Sequence, residues 1–167
     1  MKTKLQQLII FMTLLSVAAC QFQNMSGLKK QKNKNQVTYD QIATLKPKHS
    51  TNLMAGEYLD VGDVNIYCDD ENVFIEYETT DDWFLRNIHL YVGDLEFIPT
   101  DKNELPNPNR FPIRTVCPNQ TQSKIYVVSK SILPENFAVS AHAEVKREVN
   151  GIETKTETAW CEGDHFS

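Results

Sequence analysis

The chain is short of the residues that announce an enzyme. Six glycines in 167 residues form no glycine-rich loop to cradle a phosphate, and no Gly-x-Ser-x-Gly elbow presents a nucleophile. The four cysteines include no CxxC spacing of the kind that holds a metal, and the EF-hand calcium pattern is missing. No window of eleven residues has helical periodicity, and no repeat of 20–50 residues is visible. The longest apolar run falls well below the roughly 20 residues that span a bilayer as a helix. Basic residues interleaved with aromatics, the surface expected for nucleic acid, are lacking, so no nucleic-acid partner is expected and no cofactor is indicated.

What is present begins at the N-terminus. Lys2 and Lys4 precede the apolar stretch Leu8-Ile9-Ile10-Phe11-Met12-Thr13-Leu14-Leu15, which gives way to Ser16-Val17-Ala18-Ala19-Cys20. A basic start, a short apolar core and a small-residue cleavage site read as an export signal over residues 1–19. A cysteine at the first mature position resembles the lipobox of bacterial lipoproteins. The resemblance implies that the Cys20 thiol receives a diacylglycerol and that the upstream segment is cut away. Two or more acyl chains anchor a protein stably where one does not. Gln21 follows, not the Asp associated with inner-membrane retention, which favours an outer-membrane address.

Charge divides the rest. Residues 1–52 hold eight Lys/Arg and one acid, Asp40; residues 53–167 hold nine Lys/Arg and 21 Asp/Glu, and the whole chain is at −5. The basic stretch suits anionic headgroups, worth about 1 kcal/mol per cation near the surface. The polar run 21–36 buries too little apolar surface to offset chain ordering, so residues 20–52 read as a flexible tether, about 30 Å in mean reach. A short helical or strand-like piece at residues 37–45 would be stopped by Pro47.

From Ala55 the texture becomes strand and turn. Val64, Ile66 and Cys68 alternate onto one face, as do Val73, Ile75 and Tyr77, then Ile88, Leu90 and Val92. Further strands are expected at residues 125–129, 137–147 and 152–160, the last two joined by an Asn150-Gly151 hairpin turn, with a proline-rich loop at 99–110. About seven short strands predict an all-β, antiparallel two-layer sandwich of immunoglobulin-like type over residues 53–167.

Four segments, Tyr58-Leu59-Asp60-Val61-Gly62, His89-Leu90-Tyr91-Val92-Gly93-Asp94, Ala141-His142-Ala143 and Thr158-Ala159-Trp160-Cys161-Glu162-Gly163-Asp164-His165-Phe166, occur in that order. Trp83 lies ahead of the second and Phe111-Pro112 after it. Together they resemble a largely uncharacterised domain common in secreted and surface proteins of Bacteroidota, which implies a fold and a setting but no reaction. Relatives have Arg at the place of His165 and a small residue at that of Cys161. They continue into a further aromatic-rich strand, so a sheet edge left open for a partner strand is one expectation.

The polar residues of most interest are His89 and His142, each opposite the apolar face of its strand. Neighbouring strands would let them share a site with Glu144 or Glu76, and imidazole with carboxylate suits zinc; the alternative is a pair of structural histidines. Cys68, Cys117 and Cys161 allow one disulfide and one spare thiol in an exported protein, and the sequence does not choose the pairing. Asp69-Asp70-Glu71 and Asp81-Asp82 offer calcium oxygens, or serve simply as turn formers. Glu162-Gly163-Asp164-His165 reads as a loop-end cap. Trp83, Tyr91, Tyr126 and Trp160 would either line a sugar-binding face or fill the core. These features favour a membrane-anchored, non-enzymatic module of the cell envelope that binds protein or glycan. The alternatives are a metal-binding protein or metal-dependent enzyme built on His89 and His142, and a purely structural envelope component.

Overall fold

The computed structural model describes residues 13–16 and 39–163. The strands, in chain order, are β1 Thr13–Ser16, β2 His49–Ala55, β3 Leu59–Cys68, β4 Asn72–Thr79, β5 Trp83–Gly93, β6 Ile113–Thr121, β7 Ser123–Ser129, β8 Asn136–Val149 and β9 Ile152–Cys161. The fold is all-β and antiparallel, as expected. Eight strands form one continuous sheet in the order β6-β5-β8-β9-β2-β3-β4-β7, and β1 adds to β8 outside that path. The two edge strands, β6 and β7, are consecutive in the chain and separated by Gln122 alone. The chain therefore passes straight from one edge of the sheet to the other, and the sheet curls nearly shut like a barrel. What the sequence suggested as two layers are the two halves of this one rolled sheet.

Alternation fills the interior. Val64, Ile66, Val73, Ile75, Tyr77, Leu85, Ile88, Leu90, Phe137, Val139, Ala141, Ala143 and Val145 belong to one buried cluster. Two smaller clusters lie on the outer surface of the sheet. One joins Ile42, Tyr67 and Phe74, and the other Tyr91, Ile98, Phe111 and Ala138 with Trp160 packed against them. The Asn150-Gly151 turn forms as expected, with φ of 54° and 76°, the left-handed pair that matches the twist of a two-residue hairpin.

Two boundaries move. The short helix Tyr39–Ile42 and the first part of β2, residues 49–52, lie within residues 20–52, assigned above to the tether. Ile42 is buried against Tyr67 and Phe74, and β2 pairs along β3, so the folded unit includes residues 39–52. Only Leu53 and Ala55 of β2 are buried, which is why its composition looked unstructured. Strand β6 was also missed. It is a sheet edge with one buried residue, Cys117, and contains Pro118, which an edge strand tolerates.

The cysteines give a further correction. Cys68, Cys117 and Cys161 all lie in the main core, and none is in a disulfide. They behave there as small apolar side chains. Cys20, the lipidation candidate, Asp164 and His165 lie outside the described residues, as does most of the tether and export signal. Among the described residues no helix is long and apolar enough to cross a membrane.

Candidate functional site

The site is set by one irregularity in β5. Trp83 and Leu85 point into the core, and strict alternation would send Asn87 and His89 after them. A bulge intervenes: Leu85 pairs with Val145, but Asn87 pairs with Glu144, so β5 has one extra residue there. A bulge re-aims every side chain beyond it. Ile88 and Leu90 become the core residues, and Asn87 and His89 turn to the outer surface.

There they complete two rows across the sheet. His89 pairs with Arg114 on β6 and with His142 on β8; His142 pairs with Trp160 on β9, and Trp160 with Met54 on β2. One step along, Asn87 pairs with Glu144, and Glu144 with Thr158. Side chains of one face repeat every second residue, so Arg114, His89, His142, Trp160 and Met54 form a single stripe with Asn87, Glu144 and Thr158 beside it.

The two histidines touch. Their Nδ1 atoms are 3.1 Å apart, and the rings lie nearly parallel, 5.3 Å between centroids. Trp160 meets the His142 ring at 4.7 Å, edge to face. His142 is 6 % exposed. Its pKa is pushed down to about 4, by burial first and by the neighbouring His89 second. His89 is lowered too, chiefly by burial and also by Arg114, against the opposing pull of Glu144. Both rings are therefore neutral at pH 7. One Nδ1–H donates to the other ring's Nδ1, and there is no room for a proton on both.

A loop forms one wall. Residues 94–112 fold back over the outer surface, pinned by Tyr91 Oη donating to the Asp94 carbonyl at 2.6 Å. Phe111 closes it, 6.2 Å from Tyr91 and 6.4 Å from Trp160 between ring centroids. Arg114 reaches the same loop, donating to the Asn109 carbonyl at 3.2 Å.

The expected partners divide. Glu144 is on this face, but it accepts from Asn87 Nδ2. Glu76 is elsewhere, accepting from Tyr67 Oη at 2.9 Å and Ser123 Oγ at 3.2 Å. Among the described residues no three His, Cys, Asp or Glu side chains are grouped to hold a metal ion, so the trio His89, His142 and Glu144 is corrected to a histidine pair. The aromatics divide likewise. Trp83 belongs to the core and Tyr126 packs against it, edge to face with Tyr77 at 6.1 Å; only Tyr91 and Trp160 reach the histidine face. Asp69 serves its turn, accepting from the Glu71 and Asn72 amides, and Asp82 pairs with Arg147 at 3.5 Å. Glu162 caps β2, its side chain accepting from Asn52 at 3.1 Å. Sequence reasoning missed Asn87 and Arg114, since the bulge that brings Asn87 out has no mark in the pattern and β6 was not recognised.

Comparison of the chain with protein-family models, with curated proteins and with solved structures gives no match.

Proposed function

We propose that the chain is a lipid-anchored, non-enzymatic binding module of the bacterial cell envelope, and that it binds a glycan on the face formed by His89, His142 and Trp160. The observation behind this reading is the stripe itself: uncharged imidazoles, the Arg114 guanidinium, an amide–carboxylate pair and an indole, side by side on one sheet. Varied hydrogen-bonding groups beside an aromatic surface suit a hydroxyl-rich, partly apolar ligand such as a sugar. The anchor rests on Cys20 and the signal before it. Mass spectrometry of the protein extracted from cell envelopes tests the anchor: loss of residues 1–19 and an added diacylglycerol support it, and an unmodified Cys20 sinks it. A glycan array probed with the same material tests the ligand, and a blank array counts against it.

A second reading is favoured by one distance. Two nitrogens bound to zinc at about 2.0–2.1 Å in tetrahedral geometry stand about 3.3 Å apart, close to the 3.1 Å between the Nδ1 atoms. The histidine pair would then give two ligands of an exposed transition-metal site, the rest coming from solvent or a partner. Stoichiometric zinc in the purified protein, lost in the His89→Ala/His142→Ala variant, would establish this reading, and metal-free protein would exclude it.

A further inference from the structure

Strand β8 outruns its neighbour. It spans Asn136–Val149, yet β9 pairs with it only from Val149↔Ile152 to His142↔Trp160. Past that point β9 leans towards β2, where Leu53 pairs with Cys161 and the Glu162 amide donates to the Asn52 carbonyl. The first residues of β8 are left with one flank unpaired by β9. Carried further, the β8–β9 register would fill the positions opposite Val139 to Asn136. Those positions are taken by β1, with Thr13↔Val139, Leu14↔Ala138, Leu15↔Phe137 and Ser16↔Asn136. β1 thus stands in line with β9, runs in the same direction, and completes its lane.

The lane borders the core. Phe137 and Val139 belong to the main cluster, and Ala138 packs under Tyr91 and Phe111 on the other surface. At the junction between β9 and β1 lies Ser140, fully buried, with an Oγ that has no hydrogen-bond partner. A buried hydroxyl without a partner is costly, and it sits where two separate segments share one lane. An unpaired strand flank of this kind is a template for another chain.

Thr13–Ser16 lies within the export signal. We infer that the lane is a strand-acceptor site: once cleavage ahead of Cys20 removes β1, it takes an extended, uncharged segment of a partner protein, paired antiparallel to β8. The inference rests on the lipoprotein reading, because only cleavage vacates the lane. The occupant's chemistry follows from the β8 residues it must lie beside: Phe137 and Val139 in the main core and Ala138 in the outer cluster are all buried, so both surfaces bordering the lane disfavour charge. Backbone pairing gives such a complex its affinity, and side-chain alternation its selectivity.

Hydrogen exchange tests it on two forms of the full chain: the processed protein from envelopes, and the C20A variant, which keeps its leader. Mass spectrometry first establishes which form is in hand. The amides of residues 136–139 should exchange at least about tenfold faster in the processed form. A synthetic peptide with the sequence of residues 11–18 should restore protection, and the same peptide with Leu15→Pro should not. Protection that persists in the processed protein overturns the inference, whether it is independent of concentration, meaning the chain's own tail fills the lane, or appears with dimers, meaning a second copy does. Failure of the peptide to protect also overturns it. A leader still attached to the envelope protein overturns both the inference and the lipoprotein reading, and the mass tells these failures apart.

Discussion

His89 and His142 face each other across β5 and β8 with their Nδ1 atoms 3.1 Å apart, and one hydrogen bond on that axis can hold only one proton. The folded pKa of His142 is about 4, below the ordinary value near 6.5. The unfolded chain therefore binds more protons between those limits, and stability rises with pH through that window. The His142 contribution is intact above about pH 6.5 and declines as pH falls to about 4, by a loss of order 3 kcal/mol. Denaturant titrations across pH 4–7 should show this decline, and His142→Phe should flatten it. A wild-type profile with no slope between pH 6.5 and 4 would contradict the neutral pair.

Gly62 and Gly151 make a controlled comparison. A Cβ at Gly62 would lie 1.9 Å from the Glu78 carbonyl oxygen, whereas one at Gly151 would meet nothing within 4 Å. Both have positive φ, 148° and 76°. Gly151→Ala should cost about 1–2 kcal/mol, the left-handed penalty alone. Gly62→Ala forces two backbones apart and should cost more than about 4 kcal/mol or prevent folding. Thermal unfolding of the two variants decides the order.

The domain thiols should be inert until the fold opens. Burial pushes the Cys161 thiol up to about 11 and raises Cys117 as well, and the thiolate is the reactive form. At pH 8 the thiolate deficit at Cys161 alone slows alkylation about a hundredfold relative to an ordinary thiol. Mass spectrometry after iodoacetamide should find Cys68, Cys117 and Cys161 unmodified in the native protein and all three modified in denaturant without reductant. A requirement for reductant would reveal a disulfide.

Much of the fold was legible because its strands alternate cleanly. Val64, Ile66, Val73, Ile75, Tyr77, Ile88 and Leu90 were assigned to one face and do fill the core, and Asn150-Gly151 marked its hairpin. Strands with little to bury were not legible: β2 contributes two buried residues and β6 one, so period-2 patterning had nothing to register. The curl of one sheet into a near-barrel depends on Gln122 joining the two edges, a long-range fact. Of the candidate site, the two histidines were placed on the outward face correctly. Their direct contact depends on the bulge after Leu85, which shifts register by one residue and leaves no trace in composition. The expected carboxylate partner was lost for a local reason, since Asn87 sits directly across from Glu144 and occupies it.

The indole of Trp160 should matter to ligand and little to fold. It is only partly buried, at the rim of the small outer cluster, so Trp160→Ala should leave a cooperative transition while removing the aromatic wall of the site. Phe111→Ala should behave differently. Phe111 is 1 % exposed, and its truncation should cost about 3–5 kcal/mol and loosen the loop. Calorimetry of the two variants separates the roles.

The binding face is tested most directly by titrating the intact lipid-anchored protein, in detergent micelles, with the glycan that it retains most strongly on an array. Wild type and Trp160→Ala are compared by calorimetry. The expected result is one site on the wild type, with affinity at least about tenfold weaker in Trp160→Ala, a loss of about 1.4 kcal/mol or more. Equal affinity in the two proteins, or no glycan retained at all, would contradict a ligand site on the His89–His142–Trp160 face.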